Sequence, residues 1–473
     1  MAHDALPLRR PRLLSPDGLA RICATAADIL ARHGLAVHHP EAREAAARAG
    51  LRVLGERVFP DRATAAQLIA ETREAGLRSL RPDPSADQPF IALTCQYATH
   101  VHDLDSDRVV PFTTERLTEA AKLVGSLHAD GVRGAAPGCP SDVPAPLQPL
   151  LQYRIGAQHC PDGRHPVDPK WAASVPYVMD MAEVLGSPLR SLPVYVVSPL
   201  TLGAESLACA IGQRHRLSRL HVGNMSSAGA SAPIRLAHAL ALGVAEVVGG
   251  ALVLQAATGL PVDWGVRVVA FDLRGMAMSF GGPEDLLFRW ACEELNAFCH
   301  GREPGPPGGV LRTQAKVPGP QAAAEKMAGI VSGALLGSRH YDGAGALSLD
   351  EVFSAEQLLF DCELLDYGRR LAAGADVSLD PASCLEEIGD GLGRGFLASD
   401  ATLDQYRRLY WLPRFLERRS LPAWLEAGSS DLRRRIHQLA RERIAGHDYQ
   451  LEPTLARELE RIYARAERDL AGG

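Results

Sequence analysis

From about Phe90 onward the sequence alternates short, β-branched apolar runs with longer stretches of helical spacing, and this alternation limits the fold more than any other feature. Residues 90–94, 192–197, 217–222, 261–269, 309–313 and 338–343 read as strands. Residues 113–127, 171–185, 233–248, 283–298, 320–336 and 354–371 read as helices. Recurrence at roughly 40 residues points to a parallel sheet covered by helices, either doubly wound or closed as a barrel. No G-x-G-x-x-G and no phosphate-binding loop stands at a strand-to-helix turn, which favours the barrel.

The alternation divides the chain. Residues 1–81 read as an N-terminal helical cap, 90–398 as the α/β barrel, and 399–473 as a C-terminal helical extension packed on it. The cap opens on Ser15-Pro16-Asp17, with Ser as N-cap and Pro at the first helical position. Leu19, Ile22, Cys23, Ala26, Ile29 and Leu30 then fall on one helical face, and Gly34 stops the run. A second helix is expected after Pro60, and residues 82–88, rich in Pro, Asp and Ser, read as a connector.

At 473 residues and 46% apolar content the chain can bury a large core. Its formal charge is −6 and its Lys and Arg are dispersed, so no nucleic-acid footprint is visible. The most apolar stretch, 234–260, carries Arg235, His238, Glu246 and Gln255, which argues against a membrane span. The basic residues of 1–12 have no apolar run behind them, so no secretory signal is expected. Nine scattered cysteines without a C-x-x-C pair suit a reducing compartment, and a cytoplasmic location is expected. The histidines lack regularly spaced second ligands, so no metal site is expected.

Several segments together resemble the trimethylamine methyltransferase family, in its branch without pyrrolysine. They are Ala228-Gly229-Ala230-Ser231-Ala232-Pro233, Asp272-Leu273-Arg274-Gly275, Ser279-Phe280-Gly281-Gly282-Pro283-Glu284, Ala315-Lys316, Glu325-Lys326, Gly343-Ala344-Gly345 and Leu412-Pro413-Arg414. The resemblance implies a TIM-type (β/α)8 barrel that takes a methyl group from a quaternary or tertiary methylated amine. The acceptor it implies is the Co(I) of a corrinoid carried by a cognate protein. The chain has no D-x-H-x-x-G motif to supply a cobalamin ligand, so no tightly bound cofactor is expected. The family's D-A-K-x-x-D-x-Q-A-G-Y-E-K stands here as Gln314 to Lys326 with both aspartates, a glycine and the tyrosine replaced. Its H-G-A-G begins here with Asp342. These departures leave two other readings open, a non-catalytic methylamine-binding barrel and a methyltransferase with a folate acceptor. A homo-oligomer is also left open.

Methyl transfer from a quaternary nitrogen releases a neutral amine and needs no general acid, so the protein must orient and desolvate a cation. Aromatic faces and a carboxylate at strand C-terminal ends serve that purpose. Tyr341 and Asp342 are the expected catalytic pair, the alternative being a turn that Asp342 caps. Trp264, Tyr97 and His100 are expected aromatic or polar pocket residues, with core packing the competing role for Trp264. Arg312 and Lys316 flank a strand end, where Arg would grip a betaine carboxylate in bidentate fashion, surface or ion-pair roles being the alternative, and Gln321 would orient substrate or hydrogen-bond at its helix start. Glu356 and Glu363, one heptad apart on a helix face, are expected to meet the corrinoid protein, to brace neighbouring loops or to form a solvated acidic face.

Overall fold

The computed structural model describes residues 12–78, 89–429 and 431–470. The connector at 82–88 and the basic residues of 1–11 lie outside them.

Seven parallel strands form two arcs. In the first, Ser191–Val197, Arg219–Asn224 and Val262–Gly265 lie side by side, with Val222 opposite Val194 and Trp264. In the second, the order is Gly309–Val310, His340–Ala344, Ile91–Thr94, Val132–Arg133. The earliest and latest of these strands in the chain are therefore neighbours, as a barrel requires. Among the described residues, however, no ladder joins Val132–Arg133 to Ser191–Val197, or Val262–Gly265 to Gly309–Val310. The ladders among the described residues thus trace two arcs.

The expected strand at 217–222 is broken by Ser218, Arg219 and His221, yet it forms the centre of the first arc. The reason is its period of two: Leu220 and Val222 are fully buried beneath the helix Leu236–Thr258, while Arg219 and His221 point to the opposite, open face. The run at 261–269 divides into two strands, because the chain changes partner after Gly265 and Val268–Asp272 pairs with Ser226–Ala228. The strand Val132–Arg133 and the helices Gln148–His159 and Ala204–Gly212 were not foreseen.

Leu236–Thr258 is long and apolar enough to cross a membrane by length and composition, but 78% of its apolar window is buried in the fold. It is apolar on every side because it is covered on every side. The first arc lies beneath it, and the helices Pro16–His33 and Pro40–Arg48 lie above. Gly249 makes the upper approach possible: a Cβ there would stand 2.7 Å from Leu30 Cδ2.

Pro16–His33 forms as the capping signals require, with Ser15 Oγ accepting from Gly18 N at 3.1 Å and Gly34 at φ 62°. The helix after Pro60 is Arg62–Arg78. The N-terminal unit is not purely helical. Arg52–Leu54 and Arg57–Phe59 form a hairpin around Gly55-Glu56, and Leu35–Val37 pairs with Arg57–Phe59 on one side and runs parallel to Thr201–Leu202 on the other. That pairing joins the N-terminal unit to the sheet. At the other end, Leu432–Ala445 and Pro453–Leu470 bury Ile436, Ala440, Leu459, Ile462, Tyr463 and Ala466 against the second half of the core.

Candidate functional site

At the C-terminal ends of the second arc lies a cavity of about 610 Å³, lined among others by Leu93, Cys95, Gln96, Tyr97, Arg133, His165, Arg312 and Asp342. Asp342 is its electrostatic centre. Arg312 Nε donates to Asp342 Oδ2 at 3.1 Å, and Arg312 Nη1 donates to Asp350 at 3.1 Å. Arg289 approaches Asp342 at 3.8 Å and donates to Asp285 at 3.0 Å, and Arg267 reaches Asp285 at 3.7 Å. Burial works to raise the Asp342 pKa, but Arg312, Arg289 and Arg267 outweigh it and hold the carboxyl below its usual range. Burial and the neighbouring Arg289 pull Arg267 down to about 10. Two buried donors of this cluster, Arg267 Nε and Arg289 Nη2, have no hydrogen-bond acceptor among the described residues.

The turn after Asp342 is held from below. Gly343 and Gly345 have φ of 92° and 74°, and a Cβ on Gly343 would meet Arg312 Cγ at 2.8 Å. Lys326 and Asp361, both fully buried, form an ion pair of 2.6 Å under this turn. Lys326 Nζ also donates to Gly343 O, while Asp361 accepts from Gly345 N at 2.8 Å and from Gln357 Nε2 at 2.8 Å. Burial pulls Lys326 down and pushes Asp361 up, each opposed by its partner's charge. Next to Lys326, Glu325 accepts from Thr313 Oγ1 and from Gln314 N, fixing the loop that follows Arg312. Glu325-Lys326 thus braces both loops that frame the Arg312–Asp342 pair.

Of the residues expected at the site, the cavity unites Asp342, Arg312 and Tyr97. The Tyr97 hydroxyl donates to Asp168 at 3.1 Å, and burial together with Asp168 pushes its pKa up. Tyr341 is elsewhere. It is fully buried, stacks on Phe90 at 5.6 Å and packs against Gly309 and Gly333. Strand neighbours point to opposite faces, so only one of Tyr341 and Asp342 can reach the mouth. Trp264 is 2% exposed and faces His300 at 4.8 Å, which is the core-packing role. His100 is an exposed hairpin residue whose Nδ1 bonds with Thr99 Oγ1. Gln321 is exposed and donates to Glu325, and Lys316 donates to Ser348 at 2.8 Å; neither lines the cavity.

Glu356 and Glu363 form no exposed face. Glu356, 3% exposed, accepts from Arg433 at 2.7 Å and bonds to His437 at 2.7 Å. Glu363, 1% exposed, accepts from the backbone N of Arg414, Phe415 and Leu416. Each carboxylate ties the C-terminal segment to the α/β core. His102, Asp107 and Glu356 stand close enough for one metal ion. Arg433 already bridges Asp107 and Glu356 there, so the group acts as an ionic clasp.

Sequence reading missed Arg267, Arg289, the Lys326–Asp361 pair and Glu246. Glu246 is fully buried in the middle of Leu236–Thr258 and accepts from Leu200 N, Asn224 Nδ2, Ser198 Oγ and Ser226 Oγ. A lone carboxylate within so apolar a helix was the available signal. It fixes the ends of two strands of the first arc beside the mouth.

The sequence profile of the trimethylamine methyltransferase (MTTB) family matches residues 5–471. The chain belongs to this family. A relative in it, the trimethylamine methyltransferase MttB of Methanosarcina barkeri, is 29% identical over 304 residues, 63% of this chain and 59% of that one. The proline betaine:corrinoid methyltransferase of Eubacterium limosum is 28% identical over 261 residues, 53% of this chain and 52% of that one. The chain thus matches about three fifths of the M. barkeri relative's length. The crystal structure of the hydroxylamine MtmB complex aligns over 92% of this chain and 91% of that one, with a TM-score of 0.44 and 10% identity.

Proposed function

We propose that this member of the trimethylamine methyltransferase family moves a methyl group from a betaine-like methylated amine to the Co(I) of a corrinoid on a cytoplasmic partner protein, and that its two arcs are parts of one TIM-type (β/α)8 barrel. The observation that carries the substrate class is the opposed charge at the mouth: Tyr97 and the depressed-pKa carboxylate of Asp342 beside Arg312, with Arg289 and Arg267 behind them. Tyr97 and Asp342 suit a methylated ammonium, the ring by its negative face and the carboxylate by its charge. Arg312 Nη2, left over once Nε and Nη1 hold Asp342 and Asp350, suits the carboxylate of the same zwitterion, and behind it stand donors of Arg267 and Arg289 that have no acceptor among the described residues. A substrate of the trimethylamine type would leave those donors unused. The proline betaine relative acts within the same chemical class.

In the reaction the methyl carbon leaves nitrogen and the bonding pair stays on nitrogen, so a neutral amine departs without a proton. Reduced cobalt supplies the nucleophile when the partner docks. The chain's own contribution is positional. Arg312 anchors one end of the substrate, Tyr97 and Asp342 hold the cationic end, and the Glu325-Lys326 brace keeps both loops in place.

The test is anaerobic turnover with cob(I)alamin or a corrinoid protein and a panel of glycine betaine, carnitine, butyrobetaine, proline betaine and trimethylamine. Formation of methylcobalamin with a carboxylate-bearing amine is expected. Turnover with trimethylamine alone would overturn the substrate class. Tight binding by calorimetry with no transfer across the panel would overturn the activity.

A further inference from the structure

On the Tyr97 side of the mouth the Lys170 ammonium nitrogen lies 2.6 Å from Cys139 Sγ. This is shorter than the ~2.9 Å usual for an N–H···O bond, although sulfur is the larger atom. Both ends are fixed. Cys139 is 7% exposed, its backbone N donates to Ala98 O at 2.7 Å, and its sulfur faces Gln96 O. Lys170 follows Pro169 at φ 57°, its backbone N bonds to Asp168 at 3.3 Å, and Asp168 accepts from the Tyr97 hydroxyl. The lysine nitrogen sits 5.1 Å from the Tyr97 ring centroid and has no carboxylate in ion-pair reach among the described residues. A lysine in the left-handed region, pressed against a buried thiol with no acid in ion-pair reach among the described residues, is poorly explained as a surface cation.

We propose that Cys139 and Lys170 are a redox modification site, joined by a reversible N–O–S bridge when the protein meets dioxygen. One oxygen atom inserted between nitrogen and sulfur spans the observed separation with ordinary single bonds. The thiol, the neutral amine and dioxygen give the bridge and one water. The thiol hydrogen and one amine hydrogen leave in that water with the second oxygen atom. Sulfur and nitrogen each lose two electrons, and dioxygen accepts all four. Thiol reductants reverse the step. The inference stands independently of the methyl-transfer reading, because it needs only the two side chains and an oxidant.

The bridge has a defined place in the fold. Cys139 follows the Gly134–Ala136 wall of the cavity and Lys170 follows the Val167 wall. The link therefore staples two walls of the mouth at the gap between Val132–Arg133 and Ser191–Val197, where no strand ladder runs. Oxidation would lock this flank and the Tyr97 ring beneath it.

The test is peptide mapping of the full chain after aeration, compared with protein kept anaerobic with a reductant. The expected result is a cross-linked pair of peptides holding Cys139 and Lys170, about 14 Da above their summed mass, one oxygen gained and two hydrogens lost. Tryptic cleavage after Lys170 disappears with it, and dithiothreitol restores both peptides. Lys170→Arg is expected to abolish the cross-link while leaving Cys139 free to oxidise to its acids, and Cys139→Ser to abolish both. Aerated wild-type protein that shows only sulfur acids on Cys139, or a fully alkylatable Cys139 with normal cleavage at Lys170, would overturn the proposal.

Discussion

Replacing Asp361 by Asn removes one charge from the brace under the mouth and little else. The new side-chain amide keeps an oxygen for Gly345 N and turns its NH2 toward Gln357, whose own amide can flip to accept it. Lys326 then keeps two neutral acceptors, the retained amide oxygen and Gly343 O, but has lost its counter-charge in a site without water exposure. An unpaired buried charge costs about 3–5 kcal/mol. The escape route, deprotonation at pH 7, costs about 4–5 kcal/mol, since lysine ordinarily titrates about 3.4 units higher at about 1.4 kcal/mol per unit. Either way D361N should lose about 3–5 kcal/mol in urea denaturation. The double variant K326M/D361N lacks the stranded ammonium and should return to within about 1.5 kcal/mol of wild type. The sign with pH follows. A lysine whose folded pKa is depressed binds fewer protons folded than unfolded, so the D361N deficit should shrink as pH rises toward about 10. A D361N loss below about 1 kcal/mol, or a double variant as unstable as D361N, would refute the view that an obligate ion pair holds this turn.

Three further outcomes are expected. Arg312→Met should lower kcat/KM for a carboxylate-bearing amine by about 10- to 100-fold, the worth of a charge-assisted bond, and leave binding of tetramethylammonium nearly unchanged; equal losses on both would count against a carboxylate anchor. Glu246→Gln turns one acceptor of a four-donor site into a donor and should cost about 1–3 kcal/mol in thermal or urea unfolding, whereas an unchanged midpoint would remove Glu246 from the scaffold argument. Burial, with help from Lys122 and His447, depresses His159 to about 4, so the folded state disfavours its proton and stability should fall as pH drops from about 6.5 toward 4. His159→Phe should flatten that slope, and an unaltered slope would assign the acid loss elsewhere.

The strand–helix alternation was legible because burial under a single covering helix leaves a period-two trace, visible even through Arg219 and His221. The same period decides between Tyr341 and Asp342, but which of the two faces the mouth depends on where the helix Pro320–Leu335 packs, and that is not written locally. Glu356 and Glu363 look like a solvated stripe on their own helix. Their partners, Arg433 and His437 for one and the 414–416 backbone for the other, arrive from more than fifty residues away. The arginines behind Asp342 were hidden for the same reason: Arg267 stands in a break between strands and Arg289 on a helix face, and only the fold brings them to Arg312. The hairpin at 52–59 escaped because a Gly-Glu turn between three-residue strands is too short to show a period.

Between Val262–Gly265 and Gly309–Val310 the wall is carried by a chain of alternating charges, Arg267, Asp285, Arg289, Asp342 and Arg312, with no main-chain ladder among the described residues. Such a joint has no fixed register. Asp285 and Arg289 at its middle are almost fully buried, so salt in solution screens it little. An anion entering beside it would compete with Asp285 and Asp342 for the same arginines.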